Sequence, residues 1–180
     1  MILLIIPLLL VLFILFFYRY PSPIIRQNNY DSVYSPAYGT IVNIEYIPEN
    51  KLLISTFLSP LDVHYQFYPI SGIVTNIKYD KTGKYNLAYE LTKSRYNEKY
   101  ITTISNKNGD FVIYQIAGYF VRRIISYSKL NETVESGEPL GLIHFGSRVD
   151  LIVPNASRFR LLAKKGDYVR GSNTLLGSYI

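Results

Sequence analysis

The chain has 180 residues, with 19 Lys plus Arg against 13 Asp plus Glu, a formal charge of +6 and no Cys. That length argues for one domain able to bury a core unaided, and the lack of Cys excludes disulfides and thiolate metal sites. The positive balance favours anionic partners such as lipid headgroups, but no Lys/Arg run stands out, so nucleic acid is not an expected partner.

Residues 1–17, MILLIIPLLLVLFILFF, carry no charge. A helix of that length would reach roughly 25 Å, against about 30 Å of bilayer hydrocarbon. Tyr18 and Tyr20 then fall where interfacial aromatics sit. No basic n-region and no small-residue cleavage site is visible, so residues 1–18 read as an uncleaved single-pass transmembrane anchor and not as a signal peptide. Arg19 and Arg26 follow the apolar run and nothing basic precedes it, which places the C-terminal domain on the cytoplasmic side of a membrane. Residues 19–32, polar and Pro-containing, read as a tether, and the domain as residues 33–180.

The body alternates apolar and polar residues in short runs broken by Gly, Pro, Asn and Asp. Strands are expected at 39–47, 52–58, 72–79, 100–106, 110–117, 139–145, 149–154 and 159–163. Asn108-Gly109 marks the strongest hairpin turn. The best helical stretch, 117–128, is rich in β-branched residues and stays ambiguous between helix and strand.

Two segments share a theme: SPAYGTIVNIEY (35–46) and YPISGIVTNIKY (68–79). VESGEPLGLI (134–143) and AKKGDYVRGSNTLLG (163–177) form a second related pair. Two interlocked β-hairpin halves would leave such traces. The fold class expected is therefore mainly β, a barrel-sandwich-hybrid-like domain with few helices behind one N-terminal transmembrane helix. A carrier role, which such hybrids often have, would need a Lys on a hairpin tip between apolar residues, and none is evident.

The stretch GLIHFGSRVDLIVP (141–154) sets a Gly-Ser pair between two apolar runs. A Gly inside a strand pattern marks a bulge or a close backbone approach. Taken alone, Gly146-Ser147 is a bulge filled by a Ser. Arg148 and Asp150 fall on one face of a strand and read as a structural ion pair. His64, in LDVH, reads from residue type alone as a ring tied to Asp62 or buried near Tyr65.

Taken in order, SPAYG (35–39), FLSPLDVHYQFYPISG (57–72), SRYNEK (94–99), QIAGYFVRRI (115–124), ESGEPLGLIHFGSRVDLIVP (135–154) and KKGDYVRGSNTLLG (164–177) form a set that resembles the phosphatidylserine decarboxylase family, in its short form with a Gly-Ser-Arg processing site. The resemblance covers residues from about 33 to the C-terminus. It implies a proenzyme that cuts itself between Gly146 and Ser147 into a large chain, 1–146, and a small chain, 147–180. Attack of the Ser147 hydroxyl on the preceding carbonyl, β-elimination and hydrolysis would leave a pyruvoyl cofactor. Its carbonyl would condense with the substrate amine and draw electrons from the breaking bond to the carboxylate. The implied reaction makes phosphatidylethanolamine from phosphatidylserine, as part of phospholipid biosynthesis, with the membrane as partner and no metal; a homodimer stays open.

By the same resemblance His64 handles protons at the site, a task suited to a group titrating near neutrality. Arg122 and Arg123 become candidates for the lipid phosphate, or else plain solvated cations. Two positions depart from the family pattern. Tyr38 stands where the family carries Asp in Ser-Pro-Ala-Asp-Gly, and Phe67 stands where longer members carry a second His. A phenol of pKa roughly 10 cannot replace a carboxylate at neutral pH. His144 is then a candidate processing base. The alternative function is an uncleaved, catalytically degenerate member serving as a membrane-tethered lipid-binding or interaction module.

Overall fold

The computed structural model describes every residue except 1, 82, 84, 85, 89, 95, 119–122, 145 and 146, and the side chains of all of these but residues 2–4. Elements in chain order are α1 (Ile2–Phe17), β1 (Ser32–Tyr34), β2 (Gly39–Ile47), β3 (Lys51–Leu58), β4 (Tyr65–Phe67), β5 (Gly72–Asp80) and α2 (Leu91–Ser94). There follow β6 (Lys99–Asn106), β7 (Gly109–Ile116), β8 (Ile124–Ser126), β9 (Thr133–Val134), β10 (Pro139–Ile143) and β11 (Ser147–Val153). A single 3-10 turn (Ala156–Arg158), β12 (Phe159–Leu161), β13 (Tyr168–Val169) and β14 (Leu175–Tyr179) complete the chain. The domain is mainly β, as alternation predicts, and its largest sheet curls as a half-barrel.

That sheet has eight strands in the order β13-β2-β3-β11-β7-β6-β5-β9, flanked by three-stranded sheets β1-β14-β12 and β4-β10-β8. The order reads the same from either edge once β13 is matched with β9, β2 with β5, β3 with β6 and β11 with β7. Leu151 opposite Ile113 lies at the centre. Both members of the first sequence pair carry a register shift at the same place, between Ile41 and Asn43 in β2 and between Val74 and Asn76 in β5. Members of the second pair supply the two edge strands, with Val169 opposite Gly39 and Val134 opposite Gly72. The interlocked halves legible in the repeats are thus β1–β3 with β11–β14, and β4–β10.

Inward-facing Ile41, Leu52, Ile54, Leu58, Ile104, Phe111, Ile113, Val149, Leu151 and Val153 form the core, each at most 1% exposed. Apolar burial of this extent on one face is what stabilises the sheet.

Two expectations need correction. Within the ambiguous 117–128 stretch, Ile124–Ser126 is a strand paired with β10, Leu142 opposite Ile125, because β-branched residues suit a ladder better than a helix. The expected transmembrane anchor is helical, but α1 has 16 residues, and no helix among the described residues is long and apolar enough to cross a membrane. At 1.5 Å per residue α1 reaches about 24 Å, short of the roughly 30 Å of hydrocarbon. Its last residue, Phe17, is fully buried in the domain while Ile5–Leu12 stand exposed. The segment after it is docked too: the Arg26 amide donates to the Ser136 carbonyl at 2.8 Å, and the Arg26 guanidinium lies 3.6 Å from the centre of the Tyr34 ring.

Candidate active site

β11 lies between β3 and β7, with Ser147 opposite Leu58. Period-2 alternation puts Ser147, Val149, Leu151 and Val153 toward the core and Arg148 and Asp150 on the other face. The Ser147 Oγ is buried and has no hydrogen-bond partner among the described residues. An unpaired buried hydroxyl costs about 1–3 kcal/mol, so an apolar residue would be the better core choice at this position.

On the outer face Arg148 and Asp150 form the expected ion pair. Arg148 Nη2 donates to Asp150 Oδ2 at 3.0 Å, and Nε lies 2.9 Å from Oδ1, close enough for charge pairing without hydrogen-bond alignment. Arg148 also donates to the Ser94 hydroxyl. Burial pushes the Asp150 carboxyl up, against the pull of Arg148. The pair lies on the face of β11 opposite to Ser147.

His64 ends the loop after β3 and is fully buried. Its Nδ1 lies 2.9 Å from the backbone carbonyl of Asp62. A carbonyl can only accept, so Nδ1 carries the proton, and in the neutral ring Nε2 is left with a lone pair. Burial lowers the His64 pKa to about 4, over the opposing effect of the Asp62 hydrogen bond, so the ring is neutral at pH 7. Nε2 is buried and has no partner among the described residues. The tie to Asp62 that residue type suggests therefore exists, and it is what leaves Nε2 as an acceptor. The Asp62 carboxylate faces elsewhere, accepting from the Ser59 amide at 2.8 Å and the Tyr168 hydroxyl at 2.7 Å.

His144 sits between β10 and β11. Its amide donates to the Arg123 carbonyl at 3.2 Å, and the neighbouring Ile143 amide donates to the His64 carbonyl at 3.2 Å, which ties the two histidine-bearing segments together. His144 Nδ1 is 2.7 Å from the Tyr18 hydroxyl, and Nε2 is buried without a partner among the described residues. Burial, then the Arg123 charge, lowers its pKa. Among the described residues, three buried polar atoms lacking partners, Ser147 Oγ, His64 Nε2 and His144 Nε2, thus belong to segments joined in one corner of the fold. Arg123 is exposed beside His144, whereas Arg122 and Gly146 lie outside the described residues.

Tyr38, between β1 and β2, meets Phe67 at the end of β4, with ring centroids 6.4 Å apart and an interplanar angle of 64°. Burial raises the Tyr38 hydroxyl's pKa. Tyr38 and Phe67, the two positions read from sequence as departures, therefore form one edge-to-face aromatic pair. Gly171 makes room for it, since a Cβ there would come within 2.9 Å of the Phe67 ring and 3.0 Å of the Tyr38 ring.

Sequence reasoning missed Phe17 and Tyr18. Phe17 lies 4.2 Å from the His64 ring, centroid to centroid, and Tyr18, expected at a membrane interface, turns its hydroxyl to His144. Tyr20, assigned the same interfacial role, stacks edge-on against Tyr65 at 4.9 Å. The aromatic cluster FFYRY (16–20) was a visible signal, but hydropathy alone assigns it to lipid.

A protein-family profile described as phosphatidylserine decarboxylase matches residues 10–177. A phosphatidylserine decarboxylase proenzyme of Amoebophilus asiaticus is 36% identical over 175 residues, covering 93% of this chain and 76% of the relative. One from Cytophaga hutchinsonii is 40% identical over 158 residues, covering 84% and 71%. One from Prosthecochloris aestuarii is 33% identical over 176 residues, covering 94% and 78%.

Proposed function

The chain belongs to the phosphatidylserine decarboxylase family, and from that premise we propose that it cuts itself between Gly146 and Ser147 and decarboxylates phosphatidylserine to phosphatidylethanolamine. The observation that carries this reading is the buried Ser147 hydroxyl, unpartnered among the described residues, in the same corner as an imidazole nitrogen, His64 Nε2, held as an acceptor.

In this reading His64 Nε2 takes the Ser147 Oγ proton as the oxygen attacks the Gly146 carbonyl carbon. The Gly146–Ser147 amide becomes an ester, freeing the Ser147 amine. A base then removes the Ser147 Cα proton, the Gly146 carboxylate leaves from Cβ, and dehydroalanine remains. Its imine form takes up water and loses ammonia, giving the pyruvoyl group at the start of β11. The small buried position of Ser147 fits such a group, which would supply the electron sink for decarboxylation. His64 Nε2, an acceptor in the resting ring, would take up the proton released as the substrate ammonium condenses and return it to the carbon that loses CO2.

Arg123, with Arg122 next to it in sequence, would meet the lipid phosphate. The apolar α1 would enter the headgroup and acyl region of a membrane, with Arg19 and Arg26 near its surface. Both readings rest on charge and hydropathy.

Intact mass under denaturing conditions tests the proposal. Two chains meeting at 146/147, the smaller blocked at its N-terminus, together with CO2 release from phosphatidylserine, are expected. One uncut chain without decarboxylation would overturn it and select the uncleaved lipid-binding module, for which the Tyr38–Phe67 pair would then be the reason.

A further inference from the structure

We propose that Phe17 and Tyr18, at the end of the apolar helix, are positioning residues for the two histidines: Phe17 seals the face of a His64 ring whose Nε2 is bare, and Tyr18 sets His144 in the opposite tautomer, with an Nε2–H. The rate part of this inference rests on the self-cleavage reading; the tautomer part does not.

The helix end is clamped onto the loop that carries His64. Arg19 donates through Nη1 to the Phe16 carbonyl and through Nη2 to the Leu61 carbonyl, both at 2.7 Å, and its guanidinium lies 3.9 Å from the centre of the Phe16 ring. A cation bonded to the last carbonyls is a favourable helix end. The clamp drives Phe17 into the domain, where its ring covers His64 at a tilt of 34°. His64 is then fixed from two sides, by the Asp62 carbonyl at its edge and by Phe17 on its face. Arg19 and His144 are the charged or titratable neighbours that oppose its protonation, and Asp62 is the one that favours it.

Tyr18 packs edge-on against Phe17, with centroids 5.1 Å apart, and against His144 at 5.5 Å. Its hydroxyl and His144 Nδ1 share one proton position at 2.7 Å. A phenol is a stronger acid than a neutral imidazole N–H, and an imidazole nitrogen a stronger base than a phenol oxygen, so the phenol donates. His144 Nδ1 is thereby the acceptor and Nε2 carries the hydrogen. A donor three residues before Ser147 suits the oxygen that becomes negative when the Gly146 carbonyl is attacked, while His64 keeps the base role. The candidate base role read for His144 from sequence is thus replaced by a donor role.

The test uses the full chain. Ser147→Ala holds it uncut, and nitrogen-detected NMR of its two histidines reads the tautomers. Expected are His64 protonated on Nδ1 and His144 on Nε2, with Tyr18→Phe releasing His144 to a tautomer mixture while His64 is unmoved. Phe17→Leu should raise the His64 pKa and leave the His144 tautomer unchanged. In the Ser147 background Tyr18→Phe should slow self-cleavage roughly tenfold, the equivalent of one lost hydrogen bond, and Phe17→Leu should shift its pH profile upward. A His144 tautomer that is the same with and without the Tyr18 hydroxyl, or cleavage in both variants with parental rate and pH profile, would overturn the proposal. A parent that never cuts yet shows the expected tautomers would overturn the function and leave this inference standing.

Discussion

The two pseudo-symmetric halves differ most where they close the central strands. In one half Asn106 opposite Gly109 ends a hairpin between β6 and β7. The register carries that rung onto Leu58 opposite Ser147 in the other half, since Thr40–Phe57–Arg148 in one matches Ile73–Ser105–Asp110 in the other. The hairpin end is saturated with hydrogen bonds: Asn106 Nδ2 donates to the Ser71 carbonyl, Asn108 Nδ2 to the Tyr30 carbonyl, and Asn155 Nδ2 to the Asn108 carbonyl, at 2.9, 2.6 and 2.7 Å. At the other end the chain does not turn back, and Ser147 Oγ, His64 Nε2 and His144 Nε2 are buried without partners among the described residues. One frame thus serves twice, once for stability and once at a polar corner left unsatisfied. Unpaired buried groups persist where chemistry uses them.

The sharpest way to break this contrast is Ser147→Ala. It should abolish the cut and all decarboxylation, seen as one uncut mass, while raising stability by about 1 kcal/mol because it removes an unpaired buried hydroxyl. A loss of stability in denaturant melts would mean that the hydroxyl has a partner.

His64→Phe should slow cutting by roughly 10²–10⁴-fold, the usual worth of a positioned proton acceptor. It also tests a pH dependence. His64 is neutral in the fold down to about pH 4, whereas an unfolded His takes up its proton near 6.5. The unfolded state therefore binds more protons between those values, and stability rises with pH through that window. The contribution is complete above about pH 6.5 and falls by roughly 3 kcal/mol on acidifying toward 4. Melts of the variant should lack that part of the slope.

Tyr38→Asp alone sets a carboxylate against the Phe67 ring and should cost about 2 kcal/mol without speeding the cut. The double change Tyr38→Asp with Phe67→His gives the carboxylate a partner and should recover part of that loss and quicken processing. Equal effects of the single and double variants in cleavage time courses would show that the two positions are uncoupled.

The smallest effect is expected at the closed end. Gly109 has φ +116°, and an added Cβ would lie 3.1 Å from Pro154. Gly109→Ala should cost about 1–2 kcal/mol of stability and leave cleavage untouched, since it strains the hairpin alone.

Much of this frame was legible from residue order. β2 coincides with the expected 39–47, and β3, β5, β6 and β7 differ from expectation by a residue or so at their ends. Strands of two to five residues, such as Tyr65–Phe67, Thr133–Val134 and Leu175–Tyr179, escaped because so short a run shows no period. The LDVH and GSR motifs marked His64 and Ser147, and the paired repeats announced the two halves.

The sequence by itself determined the β class, the repeat, the family and the candidate serine, Ser147, because alternation, turn residues and motifs are properties of neighbours in the chain. Only the tertiary structure decided which imidazole nitrogen is bare, that Tyr38 meets Phe67, and that Phe17 and Tyr18 reach the two histidines. Those facts depend on contacts such as Tyr18 with His144, 126 residues apart. Hydropathy sends the helix end to lipid; the carbonyls that clamp Arg19 bring its last turn into the site.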